Sequence, residues 1–168
     1  TLPPGEVGEV VVRGPQVMQG YWNKPDQTAR ALRNGEYWSG DLGYLDAEGY
    51  LFLVDRAKDM IITGGENVYS TEVEDVLYRH PAVLEAAVFG VPDEKWGEAV
   101  HAAVVPRAGY EDLDPEVLIA FCRDRIAHYK APRGIDIRLE PLPKSGPGKI
   151  LKRELRAPYW KGQERHVH

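Results

Sequence analysis

The sequence predicts an α+β fold: a small antiparallel β subdomain over residues 1–54, a charged connector over 55–59, and a compact α+β domain of short strands and two to three helices over 60–168. Three observations carry that expectation. Two hairpin signals, Asn34-Gly35 and Asp46-Ala47-Glu48-Gly49, lie between β-branched or aromatic runs in the first 54 residues, and such turns join antiparallel strands. Beyond Asp55-Arg56-Ala57-Lys58-Asp59 the pattern changes to apolar runs alternating with amphipathic helical stretches, as mixed α and β layers require. The 17 glycines and 13 prolines exceed average use, which implies many turns and short elements.

Taken in order, the β-branched run Val7–Arg13 predicts a strand and Lys24–Leu32 a short helix, with Pro25 tolerated in its first turn. Asn34-Gly35 turns the chain into Tyr37-Trp38, and Ser39-Gly40-Asp41 reads as a further small turn. Leu42–Tyr44 and Tyr50–Val54 flank the second hairpin turn. Met60–Thr63 predicts a strand that stops at Gly64-Gly65. A helix follows over Thr71–Arg79: Thr71 and Glu74 have capping-box spacing, Val73, Val76 and Leu77 share one face, and Pro81 ends it. Val83–Val91 and Ala99–Val105 are apolar strands joined through Pro92–Gly97. Asp114-Pro115 opens a helix reaching Ala127, with Leu118, Phe121 and Cys122 inward. Ile135–Leu139 is the last strand, before the loop Pro141–Gly148.

Composition excludes several classes. Hydrophobic residues make up 43% and charged residues 28% of the chain, so it is neither disordered nor fibrous. No apolar run approaches the roughly 18 residues that span a bilayer, and no signal-peptide pattern opens the chain. Cys122 is the only cysteine, so no internal disulfide can form and a reducing, cytoplasmic setting is expected. The five histidines have no zinc-site spacing, and His166-Val167-His168 reads as an ordinary tail. The net charge of −5 hides an asymmetry: residues 1–122 carry 9 basic and 21 acidic side chains, residues 123–168 carry 12 and 5. A basic end on an acidic body points either to an anion such as a phosphate-bearing ligand or to a solvated face without a partner. The acidic body disfavours nucleic acid, so none is expected as a partner.

Each motif has a plain reading beside a chemical one. Pro143–Lys149 fails as a phosphate loop, because Pro143 and Ile150 stand where that motif needs Gly and Ser or Thr. Lys149 in it is either solvated or a mobile ammonium that stabilises charge on a phosphoryl or carboxyl oxygen. Asp41 is either a local cap or an acceptor for ribose hydroxyls. Gly64-Gly65 is either a turn or a close approach to a ligand. Trp96 and Tyr129 could be core aromatics, although Trp96 lies in a polar turn, where an aromatic more readily stacks on a ligand.

Four segments in this order resemble one family. They are Tyr37-Trp38-Ser39-Gly40-Asp41; Asp55-Arg56-Ala57-Lys58-Asp59-Met60-Ile61-Ile62 continuing to Gly64-Gly65-Glu66-Asn67 and Glu72-Val73-Glu74; Pro92-Asp93-Glu94-Lys95-Trp96-Gly97-Glu98; and Pro143–Lys149 with Lys152-Arg153-Glu154-Leu155. The sequence resembles the AMP-forming acyl-CoA synthetases, the adenylate-forming enzymes, and its Gly64-Gly65-Glu66-Asn67 looks most like the fatty-acyl and aryl CoA ligases.

The resemblance implies activation of a carboxylic acid, a fatty acid in the leading expectation, with ATP and Mg²⁺ to an acyl-adenylate, followed by transfer to CoA. It implies that Asp41 and Arg56 bind the adenylate ribose and that Lys149 serves adenylation. Lys58 falls at a hinge on which the C-terminal lid swings between two poses. Gly64 and Gly65 match the turn lining the pantetheine path. Trp96, Tyr129, Lys130 and Arg133 fall where some relatives hold the CoA nucleotide. Lys149 also matches a lysine that is switched off by acetylation, which would remove its charge.

Two departures stand out: Ser39 replaces a more common threonine, and Ala131 stands where some relatives place a basic CoA contact. The family's Ser/Thr/Gly-rich phosphate loop, adenine motif and acyl pocket are absent from these residues. The chain therefore reads as the end of the large N-terminal domain (1–54), a hinge (55–59) and the C-terminal lid (60–168), with the remainder of that domain as its partner and no activity alone. The alternative is a free-standing lid module that binds CoA or another protein without catalysis.

Overall fold

The computed structural model describes residues 1–162, and the predicted tail 166–168 lies outside them. The chain divides into two compact units, Thr1–Lys58 and the residues from Asp59 onward.

The first unit is an antiparallel sheet around one long strand. β1 (Gly8–Val12) lies along one edge of β3 (Glu36–Leu45), while β2 (Leu32–Arg33) and then β4 (Leu51–Arg56) occupy the other. A helix, α1 (Pro25–Ala31), precedes β2, with Pro25 at its first turn as the sequence predicts. Both hairpin turns form where expected. Ser39-Gly40-Asp41 is not a turn, however; it lies inside β3. Between the pairs Glu9↔Leu42 and Val11↔Trp38 those three residues face Val10 alone, making an irregular bulge. β4 also runs two residues past the predicted end, through Asp55 and Arg56, because both pair with β3. The sheet has little core: Leu42 is its one buried large apolar residue, while Leu51, Phe52 and Leu53 are 49%, 45% and 66% exposed.

The second unit is a layered α+β domain. β7 (Val83–Asp93) and β8 (Gly97–Pro106) form a hairpin paired along its whole length. The far edge of β8 takes β5 (Ile61–Thr63) antiparallel and β9 (Gly134–Ile137) parallel. β5 continues through a two-residue turn to β6 (Glu66–Val68), a strand the sequence reading did not anticipate. Both faces of the hairpin are buried, which is why β7 and β8 read as continuous apolar runs rather than alternating ones. One face, with Ala86, Val88, Val100, Ala102 and Val104, packs under α2 (Ser70–Tyr78) and α3 (Pro115–Arg123). The other, with Ala87, Phe89, Ala103 and Val105, lies under Leu142, Ile150 and Leu155, the last on the short helix α4 (Lys152–Arg156).

Helix boundaries follow local physics. Thr71 is not the N-cap the sequence suggests: it lies inside the helix, whose N-cap is Tyr69, two residues earlier and without a side-chain cap. Glu74 instead turns toward the sheet and accepts the Val88 amide at 2.7 Å, since that buried donor would otherwise lack a partner on the helix side. Asp114 does cap α3, accepting from the Glu116 amide at 2.9 Å. α3 stops at Arg123, short of the expected Ala127, and the chain then turns to bury Ala131 and Pro132. Leu118 and Cys122 face inward as predicted, with Ile119; Phe121 is only partly buried. Burial pushes the Cys122 thiol up to about 11, against a smaller opposing effect of Arg125. No helix among the described residues is long and apolar enough to cross a membrane.

Leu77 is completely buried between α2 and the sheet. Leu77→Ala should cost about 2–5 kcal/mol of unfolding free energy through lost burial and a cavity. Chemical denaturation checks this, and a loss below about 1 kcal/mol would show that the site collapses to fill the space.

Candidate functional site: a carboxylate–guanidinium pair, a Trp96 platform and a lysine loop

In the first unit the bulge is held open by side chains. The Ser39 hydroxyl donates to the Val10 carbonyl at 2.7 Å and accepts the Asp41 amide at 3.1 Å, while Glu9 accepts the Gly40 amide at 3.0 Å. Gly40 adopts φ +73, a left-handed conformation suited to glycine. These bonds satisfy backbone groups that the interrupted ladder leaves over. They turn Asp41 toward β4, where Arg56 Nε lies 3.2 Å from Asp41 Oδ1. Both side chains remain partly exposed, at 35% and 44%. A carboxylate fixed this way keeps acceptor positions open for a vicinal diol.

Lys58 lies in the turn immediately after β4. The residue before it, Ala57, is tied to the first sheet by donating to the Gly40 carbonyl at 2.9 Å. The residue after it, Asp59, pairs at 4.0 Å with Arg156 of α4 in the second unit.

In the second unit, two tight turns interlock. Gly64 and Gly65 take φ +60 and +86 and close the β5–β6 hairpin, the double positive φ of a primed turn. The β7–β8 turn, Glu94 to Trp96, is shaped by Asp93, whose Oδ1 accepts the Lys95 and Trp96 amides at 2.9 Å each. The Gly64 amide donates to the Trp96 carbonyl at 2.9 Å. A Cβ on Gly64 would stand 2.7 Å from the Trp96 ring, whereas one on Gly65 would meet open space. The indole is therefore laid against a glycine, 36% exposed. Lys95 Nζ and the Arg133 guanidinium lie 4.6 and 5.1 Å from the Trp96 ring, and Asp93 Oδ2 holds Arg133 at 3.7 Å. An aromatic ring with two cations beside it suits a ligand that is both planar and anionic.

Tyr129 and Lys130 form a separate group. Lys130 Nζ donates to both Glu72 oxygens at 2.8 Å and stands 5.9 Å from the Tyr129 ring. Burial by itself would lower the Lys130 pKa, but the Glu72 hydrogen bond and charge raise it overall. Ala131 is 3% exposed within the core, so this position cannot present a contact at the surface.

Lys149 ends a compact loop between Leu142 and Ile150. Its carbonyl accepts the Ser145 amide at 2.8 Å and its amide donates to Ser145 Oγ at 3.2 Å. The residue is exposed.

The structure thus groups Gly64, Trp96 and Arg133, pairs Asp41 with Arg56, and keeps Tyr129 with Lys130. It also corrects the reading of charge. Much of the basic end is neutralised within the protein: Lys130 by Glu72, Arg133 by Asp93, Lys144 by Glu85, Lys152 by Glu74 and Arg156 by Asp59. Sequence reasoning missed Lys95, Asp93 and Ser39 as contributors. The Asp93-Glu94-Lys95-Trp96-Gly97 turn carried the signal for the first two, since Asp two residues before a turn amide is an Asx-turn pattern.

Gly64→Ala should strain the αL turn by about 1–2 kcal/mol and also displace Trp96, whereas Gly65→Ala should show the strain alone. Unfolding free energies and the Trp96 indole N–H resonance check this; an unmoved resonance in Gly64→Ala would refute the packing argument.

Residues 72–149 match the family model of the AMP-binding enzyme C-terminal domain. Over 155 residues the chain is 52% identical to a feruloyl-CoA synthase from an Amycolatopsis species, covering 92% of this chain and 31% of that protein. It is 53% identical over 152 residues to a long-chain-fatty-acid–CoA ligase of Bacillus subtilis, covering 90% and 27%. The structure of o-succinylbenzoate CoA synthetase from Bacillus subtilis, in complex with its acyl-adenylate intermediate, superposes with a TM-score of 0.83 at 42% identity, over 92% of this chain and 31% of that one. The chain spans about a third of the length of the relatives it matches. Residues 72–149 are an AMP-binding enzyme C-terminal domain, and the chain corresponds to the C-terminal portion of AMP-forming acyl-CoA ligases.

Proposed function

We propose that this chain serves an ATP-dependent ligase that converts a carboxylic acid, a fatty acid in the leading reading, to its acyl-adenylate and then to its CoA thioester. The observation that carries this is the Asp41–Arg56 pair, a carboxylate built into a bulge with its acceptor positions open. Asp41 would accept the ribose hydroxyls of MgATP and Arg56 would hold that carboxylate in place. In adenylation a carboxylate oxygen attacks the α-phosphorus and pyrophosphate leaves. The Lys149 ammonium would stabilise the charge that builds on the phosphoryl oxygens in that transition state. In the second step the CoA thiol attacks the acyl carbon and AMP leaves. Gly64 and Gly65 would let the narrow pantetheine arm pass the backbone, while Trp96 with Lys95 and Arg133 would take the adenine and phosphates of CoA. Tyr129 and Lys130 would lie beside that nucleotide.

The two steps need different groups at one reacting centre, so a swivel is required. Lys58 would serve as that swivel, a reading supported by its neighbours: Ala57 is tied to the first sheet and Asp59 pairs with Arg156. The exposed apolar side chains of Leu51, Phe52 and Leu53, which alternate between the two faces of β4, support a larger N-terminal portion packed on the first unit. A cytoplasmic setting fits the single buried thiol of Cys122. Acetylation of the exposed Lys149 would silence adenylation by removing its charge.

A second reading, a module that binds CoA without catalysis, rests on the Trp96 platform, which needs no adenylating site. In the full-length protein, Lys149→Ala should lower acid-dependent ATP–pyrophosphate exchange by more than about a hundredfold, while thioester formation from supplied acyl-adenylate persists. Intact exchange would remove Lys149 from adenylation, and absence of exchange in the unmodified protein would favour the module. Lys58→Pro, by fixing φ at the swivel, should slow the overall reaction and spare exchange. An unchanged overall rate would exclude a hinge there.

A further inference from the structure

The segment that carries Lys149 holds three lysines within nine residues: Lys144, Lys149 and Lys152. Two of them are held by carboxylates. Lys144 pairs with Glu85 on β7, and the other Glu85 oxygen accepts the Leu142 amide at 3.0 Å. Lys152 pairs with Glu74 on α2 at 2.7 Å and donates to the Ser70 hydroxyl at 2.6 Å. Among the described residues, the Lys149 side chain has no hydrogen-bond or ion-pair partner.

These contacts lie at the two ends of one loop. Leu142 and Leu155 are buried on the same sheet face, the Leu151 amide donates to the Pro143 carbonyl at 2.8 Å, and Lys144 bridges Ile150 across the loop. Glu85 reaches the loop from a β-bulge, where the register with β8 shifts and Leu84 is turned outward, 48% exposed. The side chains of Glu85, Glu74 and Lys152 are only 19%, 15% and 15% exposed. The Lys152–Glu74 pair, half-buried on both sides, is screened weakly by salt, whereas Lys144 is 39% exposed and its pair with Glu85 is screened more. The Lys144 hydrogen bond is the foremost cause holding the Glu85 carboxyl below its ordinary range, with the Leu142 amide adding to it.

We propose that Glu85 and Glu74 are positioning residues for adenylation. Each takes up one of the lysines flanking Lys149, so the loop is fixed at both ends and a phosphate meets a single uncommitted ammonium. The inference rests on the role given to Lys149 above. Without Glu85, Lys144 becomes a competing cation five residues from Lys149, and the Leu142 amide loses its acceptor.

The test uses the full-length ligase, with exchange and thioester formation from supplied acyl-adenylate measured separately. Glu85→Ala should lower the exchange kcat about tenfold to a hundredfold, the scale of a small misplacement of a reacting group, with thioester formation changed by less than about twofold. Adding Lys144→Ala to it should cost no more than Glu85→Ala alone, because the two act as a pair. Lys144→Arg, which keeps charge and donor, should retain exchange. Glu74→Gln, which keeps an acceptor for Val88 but releases the charge of Lys152, should shift exchange in the same direction. Glu140→Ala, an exposed acid before the loop, should change neither step. Faster amide exchange at Ser145 and Lys149 in Glu85→Ala should accompany the loss. Equal loss in both half-reactions, or no loss in either, would overturn the positioning role and leave the pairs as ordinary stabilising contacts. Intact exchange in Lys149→Ala is a different failure: it would sink the lysine assignment and this inference with it.

Discussion

The β7–β8 hairpin is buried on both faces, and most of the second unit follows from that. Its strands carry Ala86, Ala87, Ala102 and Ala103 at the centre, small side chains over which neighbouring layers can approach closely. A hairpin of such residues cannot leave either face in water, so it needs two covers. α2 and α3 supply one and the segment from Leu142 to Leu155 supplies the other. The second cover is also the carrier of Lys149. The core and the lysine loop are therefore one construction: the residues that shield Phe89 and Ala103 are the posts between which the loop is strung.

The C-terminal end of this cover is tied down by a polar cluster. The Tyr159 hydroxyl donates to Asp136 at 2.5 Å and lies 3.1 Å from His101 Nε2, and the Trp160 indole donates to the Gly90 carbonyl at 3.0 Å. Burial foremost, then Asp136, push the Tyr159 phenol up to about 12, so it remains a donor across the physiological range. Gly134 is required beside it, since a Cβ there would stand 2.9 Å from the His101 ring.

Charge is organised by the same economy. The acidic body and basic end remain distinct in sequence, yet folding brings Glu72, Glu74, Glu85 and Asp93 to the lysines and arginines beyond residue 129. A net positive segment of chain becomes a set of local pairs. Lys149 is exposed in its loop, and Lys95 stands with the Asp93-held Arg133 around an indole. The first unit offers the opposite sign, a carboxylate presented by a bulge.

The sequence by itself determined the class of fold, both hairpins of the first sheet, the paired apolar strands and the family, because turn chemistry and hydrophobic runs are local and four motifs occur in fixed order. It also marked Asp41, Arg56, Gly64, Trp96, Arg133 and Lys149. Only the tertiary structure decided how those residues are held. Ser39-Gly40-Asp41 looks like a turn until β1 and β4 pair on either side of it, and Thr71 with Glu74 looks like a capping box until Val88 offers Glu74 a buried amide. β6 and α4 are too short for periodicity to reveal. The partners of Lys130, Lys144 and Lys152 lie 58, 59 and 78 residues away along the chain, a separation no local pattern encodes. Which of these cations is paired, and with which carboxylate, is settled by long-range packing alone.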